Sequence, residues 1–453
     1  MNTTSNGSKP GPTTASNIQI TPPVGPGSRS FGHSDGHTYP EGGLQAWLVV
    51  AGAFAAMLSS LGVMNTLGVF QAYISTHQLA DYDESAIGWI FSVYAFFAFF
   101  CGVQIGPIFD AKGPRLLILS GSILVVLSMM LLGICTKYWH FMLNFGVING
   151  VGCSLLFTPA MTSIGHFFMV KRGGATGLAA AGGSLGGIIF PLMLQSLLPK
   201  VGWAWSTRIL GFILMFLCLI ANLLIRSRLP PKEGGSVMPD IRIFTNLPFL
   251  YTSLSIFFME WGLFVPVTYL ISYSLSSGAI NTTLSYQIMA IFNTGSCFGR
   301  YLPGIFADMI GRFNAMFWTL ALCGLTTLVL WLPATILPLV NEGAQPSRAI
   351  EPLVIIYSLL FGFASGSNIS LTPVCVGQLC DTNEYGRYYA TCYCFVSFAT
   401  LTGIPIAGSI LQACANSYWG VVVFTGASYV VAVAFIIAAR ALRVGGWMKW
   451  VRY

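Results

Sequence analysis

One arginine and one glutamate stand in stretches that are otherwise apolar. Arg300 lies in "GSCFGRYLPG", and Asn293 and Ser296 precede it by seven and four residues, which places all three on one face of a helix. Glu260 lies in "FFMEWGLFVP". An ionisable side chain in the centre of a membrane helix costs about 2.5–3.5 kcal/mol, so we expect both charged groups to face a cavity or a partner.

These residue types suit the binding of a small polar molecule. A guanidinium can hold both oxygens of a carboxylate, and a desolvated carboxyl can take up a proton. One hypothesis is that Arg300 binds an anionic or carbonyl-bearing substrate while Glu260 carries a coupling proton. The alternative is a permanent ion pair between Glu260 and Arg300 that only locks two neighbouring helices.

The composition places these residues in a membrane. The chain has 453 residues, of which 55% are hydrophobic and 8% are charged, against roughly 25% charged in soluble domains. The net charge of +7 is not gathered into one patch, so we expect no nucleic-acid partner. The 11 cysteines and five histidines show no metal-ligand spacing, so no metal or cofactor is expected.

Continuous apolar runs of membrane-spanning length predict an all-α integral membrane protein with twelve transmembrane helices in two six-helix pseudo-repeats. The predicted spans are 46–74, 86–109, 116–136, 140–168, 173–198, 204–226, 248–275, 284–307, 314–338, 351–374, 387–413 and 417–440. We divide the chain into a disordered cytoplasmic tail (1–40), an N-terminal half (41–227), a cytoplasmic linker (228–247), a C-terminal half (248–440) and a cytoplasmic tail (441–453).

Basic residues mark one side of the predicted membrane. Lys112, Arg115, Lys171 and Arg312 fall in loops on the side of the termini, whereas few basic residues fall on the other side. The positive-inside rule therefore predicts that both termini are cytoplasmic. We expect a multi-pass protein of the plasma membrane.

One short motif occurs twice, at the end of the second span of each half. Its members are Gly106, Asp110, Gly113 and Arg115 in the first copy and Gly304, Asp308, Gly311 and Arg312 in the second. A second repeated pattern opens the fifth span of each half: "RGGAT" from Arg172 and "RYYAT" from Arg387. We expect a gating contact, in which the glycines allow close approach and the aspartate faces a helix N-terminus. The alternative is a tight turn with interfacial charges.

The twelve spans and the paired motif resemble the major facilitator superfamily, whose two halves rock about a central site. Ala111 and Met309 stand where that family's motif has a basic residue. "PEGGLQAW" (40–47) and "FFMVKRGGATGLAAAG" (167–182) are similar to the signatures of the monocarboxylate porter family, and "FGRYLPGIFADMIGRFN" (298–314) resembles its fungal members. The second signature departs at Gly173 and Gly174.

The porter resemblance implies site residues as well. Arg300 matches the family's carboxylate-binding arginine, but Ser296 stands in place of its acidic partner and Asn65 in place of its first-span lysine. This makes simple lactate-type symport doubtful. Asn368 belongs to a neutral polar face of span ten, an alternative lining for a larger molecule, and the glycine-rich segment 182–187 is interpreted as a packing surface.

These patterns favour a secondary active transporter over an enzyme. The preferred function is efflux of a small organic metabolite, with a proton as candidate coupling ion. Proton-linked uptake of a monocarboxylate or vitamin-like nutrient is the alternative, and a transporter-like nutrient sensor is the alternative of another class. Asn281 begins a glycosylation sequon in a predicted outer loop.

Overall fold

The structure, a computed structural model, describes residue 1 and residues 39–82, 84–228, 241–340 and 349–444. Nearly all of the predicted N-terminal tail, most of the linker and most of the C-terminal tail lie outside these residues. The described part is built from helices and short connections, and its residues from Tyr39 onward belong to one compact unit.

The first part of the chain forms eight helices. They are α1 (Leu44–Met64), α2 (Leu67–Thr76), α3 (Glu84–Phe100), α4 (Gly102–Lys112), α5 (Arg115–Leu132), α6 (Tyr138–Phe141), α7 (Gly150–Ile164) and α8 (Arg172–Leu224). A π-helical segment, Met142–Asn149, joins α6 to α7. The predicted first span is broken between α1 and α2, and Asn65 is the residue that ends α1.

The second part begins with a 3₁₀ turn, Ile241–Thr245, and continues in seven helices. They are α9 (Leu247–Ser276), α10 (Thr282–Ile310), α11 (Arg312–Thr326), α12 (Leu332–Val340), α13 (Ile350–Val376), α14 (Tyr385–Ala413) and α15 (Trp419–Val444). A π segment, Thr327–Trp331, joins α11 to α12, and a 3₁₀ turn, Thr382–Glu384, precedes α14. The side chain of Asn246 caps α9.

The helices account for twelve membrane crossings. Ten helical stretches in the described residues are long and apolar enough to span a membrane. One of them, α8, has 53 residues and turns at Gly202, where φ is 75°, so it supplies two crossings. The 29-residue α10 is also long enough, although its polar residues make it less apolar than the ten. The ten stretches, with a second crossing from α8 and one crossing from α10, give the predicted twelve crossings.

Glycines let α8 pack closely on its neighbours, as the packing interpretation of 182–187 predicts. A Cβ built on Gly186 would lie 2.6 Å from the Cα of Gly62 on α1 and 3.1 Å from the carbonyl oxygen of Leu58. A Cβ on Gly182 would collide with the backbone of Phe54. Small residues of this kind bring helix backbones together where hydrocarbon offers no hydrophobic driving force.

We therefore expect Gly186→Ala to destabilise the protein by about 1–3 kcal/mol, because the added methyl group forces α8 away from α1. The measurement is the thermal unfolding midpoint in detergent. Gly68→Ala on α2 is the matched control, since a Cβ there has no atom within 4 Å. Equal midpoints for the two variants would contradict the packing interpretation.

Candidate functional site

Arg300 reaches from α10 into the glycine-rich segment of α8. Its side chain is 3% exposed, and Nη1 donates a hydrogen bond of 2.7 Å to the carbonyl oxygen of Ala180. A Cβ on Gly183 would come within 2.6 Å of Nη1, so the absence of a side chain makes room for the guanidinium. One turn away, Ser184 on α8 and Ser296 on α10 share a hydrogen bond of 2.9 Å.

Two other predicted site residues bind the same segment. The side-chain amide of Asn65 donates to the carbonyl oxygen of Gly183 at 3.0 Å. Asn293 donates to the carbonyl oxygen of Gly187 at 3.4 Å and to its own helix at Met289. The structure thus brings Asn65, Asn293 and Arg300 together on residues 180–187. Their binding role stays a prediction.

Glu260 lies on α9, 1% exposed, and its Oε1 has no hydrogen-bond partner among the described residues. The part of the chain that the structure describes shows no hydrogen bond or ion pair between Glu260 and Arg300. The proton-coupling role of Glu260 and the binding role of Arg300 stay predictions. Both groups keep bonding capacity for something else.

Asn368 contacts α15 rather than the α8 segment. Its amide nitrogen lies 3.5 Å from the hydroxyl of Tyr429, whose ring packs against Gly262 on α9, the helix of Glu260. Asn368 is fully buried, and its Oδ1 has no hydrogen-bond partner in the described residues. The sequence thus yields three residues that bind α8, namely Asn65, Asn293 and Arg300, and a fourth, Asn368, that contacts α15.

The sequence interpretation missed a column of tyrosines on α14. Tyr385, Tyr389 and Tyr393 are all buried, and successive ring centroids lie 5.9 Å and 4.9 Å apart. The Tyr393 ring lies 5.1 Å from that of Phe99 and 5.6 Å from that of Phe157, both in the other part of the chain. The signal was present as the four-residue spacing in "YGRYYATCY", which aligns the three rings on one helix face.

The two motif aspartates each bind the start of a helix in the other part of the chain. Asp308 on α10 accepts hydrogen bonds from the backbone N–H groups of Gly173 and Gly174, both at 2.8 Å, at the start of α8. Asp110 on α4 accepts from Gly386 at 3.1 Å and from Arg387 at 2.8 Å, at the start of α14. Each carboxylate thereby meets unsatisfied N–H groups and the positive end of a helix dipole.

Motif glycines make both contacts sterically feasible. Gly304 abuts Gly173, and Gly106 abuts Gly386, with no space for a Cβ at either contact. Gly113 and Gly311 end α4 and α10 with φ of 78° and 101°, in the region that favours glycine. We name the membrane side on which these contacts lie the motif face.

The two motif arginines differ. Arg312 donates a hydrogen bond to the carbonyl oxygen of Met169 in the connection before α8. Arg115 is exposed at the start of α5. The second copy thus adds a cationic contact between the two parts of the chain, and the gating role of both copies stays a prediction.

Glu41 adds a third carboxylate at the motif face. It accepts hydrogen bonds from the backbone N–H groups of Met169, Val170 and Lys171 at 2.6, 2.7 and 3.0 Å. Five N–H groups at the start of α8, 169–171 and 173–174, therefore bind two carboxylates. The segments 40–47 and 167–182, singled out separately in the sequence, contact each other through Glu41.

Comparison with known proteins decides the family. The model of the Major Facilitator Superfamily matches residues 52–345. The chain belongs to the major facilitator superfamily.

Curated relatives of this superfamily protein come from fungi. The MFS-type transporter opdF of Penicillium oxalicum is 38% identical over 90% of this chain and 93% of its own length. The aspyridones efflux protein apdF of Emericella nidulans is 35% identical over 96% and 84%. The crystal structure of the E. coli fucose:proton symporter FucP shares the fold, with a TM-score of 0.62 and 14% identity over 87% of this chain and 98% of that one.

Asn281 is exposed and caps α10 in this superfamily protein. Its Oδ1 accepts the backbone N–H of Leu284 at 2.7 Å. The side chain thus has a structural role at the start of the helix that carries Arg300. Its glycosylation stays a prediction.

The crossed aspartate contacts can be tested by hydrogen exchange. We expect Asp308→Ala to speed exchange at residues 173–174, and Asp110→Ala at 386–387, by roughly ten- to hundredfold, because each loses a charge-assisted bond. Asp81→Ala, in an exposed turn, is the control. Exchange unchanged at both helix starts would show that the carboxylates do not hold them.

Proposed function

We propose that this protein exports a small organic metabolite by alternating access between two six-helix halves, 41–227 and 248–440. The observation that carries the proposal is the crossed pair of contacts, Asp110 with the start of α14 and Asp308 with the start of α8. Each joins one half to the other at the same membrane face. Contacts of this kind can form in one arrangement of the halves and break in another.

The distribution of polar contacts supports a form closed at the motif face. Along α8, hydrogen bonds to the other half run from Gly173 through Ala180 to Gly187, the portion nearest the motif face. A substrate at Arg300 would then be sealed from that side. In our proposal the motif face is cytoplasmic, both termini lie there, and the membrane is the plasma membrane.

The name of one relative supports export. The relative apdF is called an efflux protein for aspyridones, and this chain spans most of its length. Substitution of Ser296 and Asn65 for the acidic and lysine residues of lactate-type porters also fits a substrate other than a simple carboxylate. We assign Arg300 to substrate binding and Glu260 to proton coupling.

Membership of the monocarboxylate porter subgroup is part of the proposal. It is supported by the contact between its two signature-like segments, in which Glu41 binds residues 169–171. A signature whose parts touch one another has a structural reason to occur as a pair. Within that subgroup this chain would be a fungal metabolite exporter.

The transport role of Arg300 gives a direct test. We expect Arg300→Ala to reduce export of organic metabolites from producing cells by about tenfold or more, because a buried charge-assisted contact to substrate is lost. The measurement is the ratio of medium to cell metabolite by mass spectrometry, with expression followed at the cell surface. Arg208→Ala is the control, since Arg208 packs over Trp205, 5.5 Å from its ring.

Export at the wild-type level from cells that carry Arg300→Ala would show that Arg300 does not bind the substrate. Accumulation of external metabolite, in place of export, would favour the uptake alternative. Product formation from substrate in purified vesicles would contradict transport altogether.

A further inference from the structure

The chain turns sharply between Tyr39 and the start of α1. Glu41 has a φ of 51°, and Gly42 and Gly43 follow with φ of 154° and 86°. A left-handed backbone conformation is costly at a residue other than glycine, and it persists only where the surrounding contacts fix it. The position of residues 39–41 must therefore be held by specific contacts.

These contacts bind Glu41 to the connection between α7 and α8. Its carboxylate accepts the three N–H groups of residues 169–171, and its own backbone N–H donates to the carbonyl oxygen of Phe167 at 3.2 Å. Early in α1, the ring of Trp47 packs edge-on against that of Phe168, with centroids 5.3 Å apart. The carboxylate bonds, the backbone bond and the ring contact together fix this segment to the N-terminal half.

Tyr39 contacts the C-terminal half. Its hydroxyl lies 2.6 Å from Oγ1 of Thr382, at hydrogen-bonding distance. Thr382 is buried and begins the 3₁₀ turn that leads into α14. The short segment 39–41 therefore has one end bound to each half of the molecule.

Thr382 stands beside two other contacts between the halves. Arg172, the first residue of α8, places its guanidinium carbon 4.1 Å from the ring centroid of Tyr385. Asp110 on α4 binds the backbone N–H groups of residues 386–387. Tyr39 thus binds the same short stretch of the C-terminal half that Arg172 and Asp110 already hold.

We propose that residues 39–41 form a strap that holds the motif face closed. Glu41 anchors the strap to the N-terminal half, and the hydroxyl of Tyr39 binds it to Thr382 in the C-terminal half. This inference rests on the proposed function, in which the motif face opens and closes. Because the start of α14 leaves the N-terminal half when that face opens, the bond between Tyr39 and Thr382 breaks with it and stabilises only the closed form.

The chemistry of the strap sets the size of its effect. A hydrogen bond between two neutral hydroxyls contributes less than the charge-assisted bonds of Asp110 and Asp308. Loss of one neutral bond corresponds to a change of about twofold to tenfold in an equilibrium constant. The strap therefore adjusts the balance between closed and open forms, while the two aspartate contacts provide most of the closure.

Hydrogen exchange in the purified full chain tests the strap. We expect Tyr39→Phe to speed exchange about twofold to tenfold at 173–174 and at 386–387, the two helix starts whose protection depends on the halves staying together. Exchange at 169–171 should stay unchanged, because Glu41 binds those N–H groups within one half.

A second variant and a control locate the effect in one bond. Thr382→Val should speed exchange at least as much as Tyr39→Phe, and the double variant should exchange no faster than Thr382→Val alone, because both remove the same bond. Tyr82→Phe is the matched control, since Tyr82 is exposed and stacks on Tyr138, with ring centroids 5.3 Å apart. It should leave exchange at every one of these positions unchanged.

The anchor of the strap is tested separately. We expect Glu41→Ala to speed exchange at 169–171 by about tenfold or more, because three bonds to a carboxylate are lost. Exchange at 173–174 and 386–387 should also rise, as in Tyr39→Phe, because a strap without its anchor no longer joins the halves.

Unchanged exchange at both helix starts in Tyr39→Phe would overturn the strap. Faster exchange at 386–387 alone would also overturn it, since that would show a local contact without any effect on the halves. Additive effects in the double variant would overturn the assignment to the bond between Tyr39 and Thr382.

These measurements need no substrate, so they fail separately from the proposed function. Export that depends on Arg300, in a protein whose exchange does not respond to Tyr39→Phe, sinks only the strap. Exchange that responds as expected, in a protein that exports no metabolite, sinks only the export assignment.

Discussion

A polar group inside a hydrocarbon layer must find its hydrogen-bond partner within the protein, and this requirement organises the molecule. The N–H groups at the start of α8 and α14 have no helical partner, and carboxylates from distant helices supply one. The same rule explains why Arg300 turns to a backbone carbonyl.

The fold could be predicted from the sequence because its signals are local. Apolar runs of membrane length, repeated glycines and the duplicated motif each act within a single helix or turn. The break between α1 and α2 was not predicted, since Asn65 and Thr66 interrupt an apolar run without a proline or glycine. The turn at Gly202 inside α8 falls between the two predicted spans 173–198 and 204–226.

The site could be predicted only in part. Arg300 and Glu260 could be singled out because each is a charged residue in an apolar helix. The sequence of a helix does not give its distance to another helix. Hence the sequence left an ion pair between Arg300 and Glu260 open, and it gave Asn368 only as part of an alternative neutral lining. Tyr393 was missed because a tyrosine in a membrane helix carries no evident cost until its neighbours are known.

The segment 180–187 explains how Arg300 is held although Ser296 is not acidic. In the porter resemblance an acidic residue at that position accompanies the arginine, and here a serine stands there. The carbonyl oxygen of Ala180 accepts from Nη1 instead, and Gly183 leaves the room that this approach requires. A carbonyl has a second lone pair beyond its helical bond, so it can hold the guanidinium without adding a negative charge. The arginine is thereby positioned but not neutralised, which in the proposed function leaves its charge for the substrate.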